Sequence, residues 1–273
     1  MSLRQHSVGV GLLYLAALVA ALSPSFYQAI FAVIGIGIGI GIIGMAHGAS
    51  DLAVVESRKR TAFLSCYLVM MLCCLLFWQL SPAIALPSFL IASAIHFVLE
   101  EPPTKSWTIR LSLGIGLITL PTLFHAESTL QLLEYAGFSA QELPAFMVFM
   151  RLLGGITAFI LIVATCRTRH YSSLCAVLAL LFFPPLVGFT LGFLVLHAFP
   201  QTESRRDALG CKNYTHYLSM TWPILGLAVL FSLFLISVCL PDTQNSVRSA
   251  FTVLTALAIP HLLITPYFER RKR

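Results

Sequence analysis

Four histidines lie inside otherwise apolar stretches of this chain: His47 in GMAHGASD, His96 in SAIHFVLEE, His197 in GFLVLHAFPQ and His261 in IPHLLIT. An ionisable side chain at such a position is costly to keep and marks a functional site by default. Asp51 follows His47 by four residues, Glu100 follows His96 by four, and Gln201 follows His197 by four. Positions i and i+4 share one face of a helix. A histidine that binds a metal usually donates its other ring N–H to a carboxylate or carbonyl, which fixes the tautomer. The pattern therefore fits a metal centre with imidazole ligands, with Asp51, Glu100 and His261 supporting them from outside. Several imidazoles with open positions suit non-haem Fe(II), copper or zinc. A lone membrane histidine more often bonds a neighbouring carbonyl or hydroxyl, and it is the group of four that favours a metal. His6, His125, His170 and His216 fall at span ends or in loops and are expected to be solvated.

The elements that must carry these residues are membrane helices. Of 273 residues, 58% are hydrophobic and 10% charged, against roughly 25% charged in a typical soluble domain. No Asp, Glu, Lys or Arg occurs in Ser7–Ser50, Thr61–Leu99, His170–Thr202, Asn213–Pro241 or Ser249–Phe268. About 20 apolar residues cross a bilayer as a helix, and backbone amides in lipid must be satisfied within their own segment. The alternation of a barrel strand is absent. Spans are expected at 8–22, 26–46, 61–80, 83–99, 110–125, 145–166, 218–240 and 249–267, with a loop or surface helix at 127–144. The reading is an all-α integral membrane protein, a single transmembrane helical domain over 1–273 with about eight to ten crossings. The apolar start is read as a first span, since a second follows at once and no clear cleavage site separates them.

The run 172–200 is too long for one span and short for two, with Pro184-Pro185 in its middle. Prolines remove donors and break helices. Basic residues favour the cytoplasmic side, and that rule decides the case. With a turn at Pro184-Pro185 and a cytoplasmic N-terminus, nearly every Lys and Arg faces the cytoplasm, Arg205, Arg206, Lys212 and the Arg270–Arg273 tail included; Arg248 is the exception. The expectation is ten crossings in the cell (inner) membrane, both termini inside, and all four histidines in the cytoplasmic third. The net charge of +6 is then an orientation signal and does not point to nucleic acid. The alternating run from Gly35 to Gly41, with Gly44 beyond, has no base nearby and is expected to serve close helix packing. The seven cysteines show no C-x-x-C spacing and are expected to act as small hydrophobes.

Four blocks carry a resemblance. Gly44-Met-Ala-His47-Gly-Ala-Ser-Asp51, Ser93-Ala-Ile-His96-Phe-Val-Leu-Glu100-Glu101, the stretch from Pro185-Leu-Val-Gly-Phe to Leu196-His197, and Ala258-Ile-Pro260-His261-Leu-Leu-Ile-Thr265 come in this order. Together the chain resembles the Brp/Blh family of bacterial and archaeal membrane β-carotene dioxygenases. The resemblance implies an Fe(II)-dependent enzyme that cleaves β-carotene, or a similar apolar carotenoid, at its central double bond with O₂ to give retinal. The family's proposed ligands are four histidines. Three carry over as His47, His96 and His197, and Gln201 stands where the fourth would be. No catalytic group beyond the metal centre is implied. The bilayer-dissolved substrate suits a membrane-embedded site, and the cofactor supplies the oxidation. Three imidazoles and a glutamine carbonyl could hold iron, more weakly than four imidazoles. The departure at Gln201 also leaves open a relative that binds or transports a carotenoid or isoprenoid without cleaving it. A haem or quinone protein and a proton-coupled transporter are further alternatives.

Overall fold

The computed structural model describes residues 3–36, 51–139, 141–234 and 246–268. His47, Gly37–Gly41, Gly44 and Cys239 lie outside them. Among the described residues every regular element is helical, and none is a strand. Among the described residues, five stretches are long and apolar enough to cross a membrane: Ser57–Leu80, Pro82–Glu100, Leu143–Thr168, Pro185–Ala208 and Val247–Phe268. Gly9–Ala21, Trp107–Thr119 and Tyr171–Phe182 are shorter apolar helices. The chain divides into two compact units, each drawn from three separate stretches.

The first unit takes Met1–Gly44, Ala94–Leu130 and Pro144–Ser204. It holds α1 (Leu3–Ala21), α2 (Ser25–Ile36), the last turns of α5 (Pro82–Glu100), α6 (Trp107–Thr119), α7 (Pro121–Phe124), most of α9 (Leu143–Thr168), α10 (Tyr171–Phe182) and α11 (Pro185–Gly192). The expected break in the 172–200 run is present. α10 stops at Phe182, Phe183 is extended, and Pro184 (φ −49°, ψ 144°) leads into α11 with Pro185 at its first position. Proline suits that position because its missing N–H would have no partner in the first turn anyway. α10 and α11 then pack closely. A Cβ on Gly188 would come within 2.7 Å of the Ala179 carbonyl, and one on Gly192 within 2.6–2.8 Å of three Leu180 side-chain carbons. Gly35 is likewise pressed against Thr190, so this described member of the glycine run does serve close packing.

The core of this unit joins Phe97, Leu113, Leu117, Leu120, Leu161, Val177, Leu180, Phe193 and Leu194. Of the five long stretches, Pro185–Ala208 is the one mostly enclosed by protein, with 67% of its spanning window buried against 22–33% for the others. On α9, by contrast, Val148, Leu152, Ile156 and Phe159 are exposed. An apolar stripe facing outward is what lipid-facing helices present. Gly114 of α6 touches the turn that carries His96: an added Cβ would lie 2.7 Å from the Ala94 carbonyl and 2.8 Å from the Val98 nitrogen. Backbone cannot step aside as a side chain can. Gly114→Ala should therefore cost about 1–3 kcal/mol through overpacking, read as a lower melting temperature in detergent. Gly155→Ala, with nothing within 4 Å, should hold or raise it; equal behaviour of the two variants would refute the contact.

The second unit takes Met45–Ser93, Gln131–Leu143 and Arg205–Arg273. It includes the short α3 (Asp51–Val54), α4 (Arg60–Leu80), α8 residues from Gln131 (α8 is Ala126–Tyr135), α13 (Tyr214–Phe234) and α14 (Ser246–Phe268). α4 and α14 pack through Met71, Cys74 and Ala256. The Tyr67 hydroxyl donates to the Leu257 carbonyl at 2.9 Å, and Phe63 meets Phe268 edge-on. On the other side of α4, Leu64, Leu68, Leu72 and Leu76 form an exposed stripe at four-residue spacing. Asn213 caps α13, its side-chain oxygen accepting from the His216 N–H at 2.8 Å. The described cysteines are all free.

Candidate metal centre

In the first unit, the last turn of α5 brings His96 and Glu100 onto one face, as their spacing requires. His96 Nε2 lies 3.1 Å from Glu100 Oε2. His197 Nε2 lies 3.3 Å from the same oxygen, and the two imidazole centroids are 5.6 Å apart. One carboxylate oxygen thus lies close to two imidazoles, whereas the four-residue spacing paired it with His96 alone. Phe97 and Phe193 wall the site, their ring centroids 4.5 and 5.5 Å from that of His197. His197 is buried, and its Nδ1 has no hydrogen-bond partner among the described residues.

Two side chains hold the C-terminal carbonyls of α5, which have no partner within the helix. Arg110 Nη2 donates to the Val98 carbonyl at 3.1 Å and to that of Leu99 at 3.5 Å. Gln201 Nε2 donates to the Glu100 carbonyl at 2.8 Å. Trp107 stacks beneath the Arg110 guanidinium at 4.9 Å, and a cation at a helix C-terminus also meets the negative end of its dipole. Gln201 is therefore beside the His96–Glu100–His197 cluster, with its amide N–H₂ committed to main chain.

His197 itself sits in a π-helical segment, Phe193–Ala198, where the Phe199 N–H reaches back five residues to the Leu194 carbonyl. Pro200 accounts for it. Proline has no N–H for the Leu196 carbonyl and its ring crowds that oxygen, and a widened turn just upstream relieves the crowding. Such segments recur at functional sites. α12 (Phe199–Ala208) then continues the helix.

The second unit holds a polar cluster around Asp51. Asp51 Oδ2 lies 2.6 Å from His261 Nδ1 and accepts from the Thr265 hydroxyl at 2.6 Å. Asp51 is 1% exposed, and its Oδ1 has no hydrogen-bond partner among the described residues. The expected pairing of Asp51 with His47 falls outside the described residues; the partners that are described come from α14. Thr265 was not singled out by the sequence reading, yet it follows His261 by four residues, the same spacing that had flagged the other partners. His125, expected to be solvated, instead bonds the Phe182 carbonyl at 3.1 Å, at the end of α10.

Buried imidazoles and carboxylates in apolar surroundings need charge partners or a cation. The set His96, His197 and Glu100 offers two neutral nitrogen donors and one anionic oxygen, a combination that suits a divalent transition metal. The model of the family described as beta-carotene 15,15'-dioxygenase matches residues 38–269. The chain belongs to that family. Among relatives, a "Beta-carotene 15,15'-dioxygenase" from uncultured marine bacterium 66A03 is 25% identical over 256 residues, covering 84% of this chain and 90% of its own length. No solved structure matches the chain. The family match spans both the His96–Glu100–His197 cluster and the Asp51–His261–Thr265 cluster. A dioxygenase family whose helices are built for lipid is in keeping with a bilayer-dissolved carotene as substrate.

Proposed function

We propose that this chain cleaves β-carotene or a closely related carotenoid with O₂ at the central double bond, giving retinal, in an iron-dependent reaction at the inner membrane. The observation that carries the reading is the convergence of His96 and His197 on Glu100 inside an apolar bundle, in a member of a carotene dioxygenase family. The residues fit iron: both imidazoles offer a ring nitrogen, and a half-buried carboxylate beside them supplies charge. His47, His96 and His197 would hold the metal, with Gln201 beside them and Asp51 and His261 supporting from outside. When bound, the iron supplies the O₂ chemistry that the side chains themselves cannot.

The protein's own part is positioning and exclusion. Arg110 and Gln201 fix the turn that carries His96 and Glu100. Phe97 and Phe193 give His197 a dry, aromatic surrounding. Polyene is apolar and rigid, so such walls orient it by shape while keeping water from reactive species. Each of the two carbons of the cleaved bond takes one oxygen atom, so one O₂ and one carotene give two aldehydes without a further reductant.

A second reading is favoured by Gln201, whose amide is engaged with the Glu100 carbonyl: a relative that binds or carries a carotenoid without cleaving it. Expression of the full chain in a carotene-producing bacterial host separates the two. Loss of colour with stoichiometric retinal is the expected result. Undiminished carotene beside well-folded, membrane-inserted protein would select the second reading and dismiss the first.

A further inference from the structure

The iron reading leaves Glu100 as a supporting group outside the ligands, and the geometry points to a closer role. We propose that Glu100 is itself a metal ligand in this chain, so that His96, His197 and Glu100 form a two-imidazole, one-carboxylate face. The inference rests on the proposed iron site and adds the carboxylate to a ligand set in which Gln201 stands where the family has a histidine.

The distances argue for it first. Two donor atoms each about 2.1 Å from one ion, at tetrahedral or octahedral angles, stand about 3.0–3.4 Å from each other. Glu100 Oε2 is 3.1 Å from His96 Nε2 and 3.3 Å from His197 Nε2. Each separation falls in or beside that range.

Direction argues next. A carboxylate that merely orients a ligand imidazole bonds the ring nitrogen turned away from the metal. Here one oxygen meets the Nε2 edge of both rings, so the edges that converge are the edges that hold the carboxylate. An ion common to both imidazoles belongs on that side, next to Oε2. The other ring nitrogen of His197, the buried Nδ1, has no hydrogen-bond partner among the described residues. Among the described residues no carboxylate bonds that nitrogen to play the orienting role.

Charge and chemistry agree. Glu100 reaches this position through the same four-residue spacing as His96, on a turn whose Glu100 carbonyl is pinned by Gln201. Gln201 thereby serves the site through the backbone of its neighbour. A face of two histidines and one carboxylate with open positions is the arrangement non-haem Fe(II) oxygenases use.

The test uses the full-length protein purified in detergent, with iron counted per chain after dialysis against a chelator. The wild type should retain about one iron. Glu100→Gln, similar in shape, should lose more than a hundredfold in iron affinity, beyond the 10–100-fold typical of an outer group. Glu100→His, which restores a donor of another kind, should recover most of the iron whether or not cleavage returns. X-ray absorption at the iron edge of the wild type should count a short oxygen beside the imidazoles, a measurement that depends on no variant. Iron held by Glu100→Gln within tenfold of wild type, or an all-nitrogen protein ligand set in the wild type, would overturn the ligand role and leave the iron reading standing. Absence of iron from wild type that is folded and supplied with Fe(II) would sink the iron reading itself, and Glu100's role with it.

Discussion

His197→Ala protein should come out of a carotene-producing host folded, free of iron above background, and without retinal. The imidazole stands 3.3 Å from Glu100 and 5.6 Å from the His96 ring, centroid to centroid, so its removal deletes a donor and opens a gap beside a half-buried carboxylate. Loss of a true ligand should exceed the 10–100-fold that outer positions cost. His96→Ala should behave alike, because its ring meets the same oxygen. The matched control is His125→Ala. That imidazole bonds the Phe182 carbonyl and lies apart from the cluster, so iron content and retinal yield should be retained. Wild-type retinal from His197→Ala would remove this residue from the reaction, and equal losses in all three variants would mean that folding, not metal binding, had been measured.

Asp51→Asn should give the largest loss of stability in the second unit. One carboxylate oxygen serves both His261 and Thr265 at 2.6 Å, and the residue is almost wholly enclosed. Hydrogen bonds to a charged group contribute about 1.5–3 kcal/mol each. An asparagine keeps one acceptor but loses the charge, so the expected loss is about 2–4 kcal/mol, or roughly 5–15 °C in melting temperature for a chain of this size. Coupling provides the sharper check. If Asp51 and His261 act as a pair, the double variant Asp51→Asn with His261→Ala should lose much less than the sum of the single losses. Strict additivity would show that the two residues do not act together.

How much of this was legible beforehand differs from residue to residue. The helical membrane character was plain, because long charge-free runs leave the backbone no other solution in lipid. The break before Pro185 followed from two prolines and from charge parity along the chain, and it stands where it was expected. His96 and Glu100 share a face because four residues in a regular helix always do. Other features needed long-range contacts. Nothing local says that His197 returns to the same carboxylate 97 positions earlier in sequence, or that Arg110, read as an orientation charge, bonds the end of α5. Thr265 stands four residues after His261, within reach of the spacing rule, yet a hydroxyl in a helix most often bonds its own backbone and so carries little signal. Gln201, expected beside the cluster as a weaker donor than histidine, lies there with its amide N–H₂ on the Glu100 carbonyl.

The widened turn at Phe193–Ala198 has a consequence for counting. A stretch bonded at five-residue steps holds one residue more than the same rise of α-helix would, and each residue of an α-helix accounts for roughly 100° of rotation. The helix from Pro185 to Ala208 therefore has two phases. Its earlier part keeps Gly188 and Gly192 toward α10, and its later part turns Gln201 toward the end of α5. A wheel drawn through the whole length would set one of those faces wrongly. Two relatives that differ by a single residue in this stretch can keep both faces intact, one with the widened turn and one without. The interval between His197 and Gln201 is thus a count along the chain that does not by itself fix an angle around the axis.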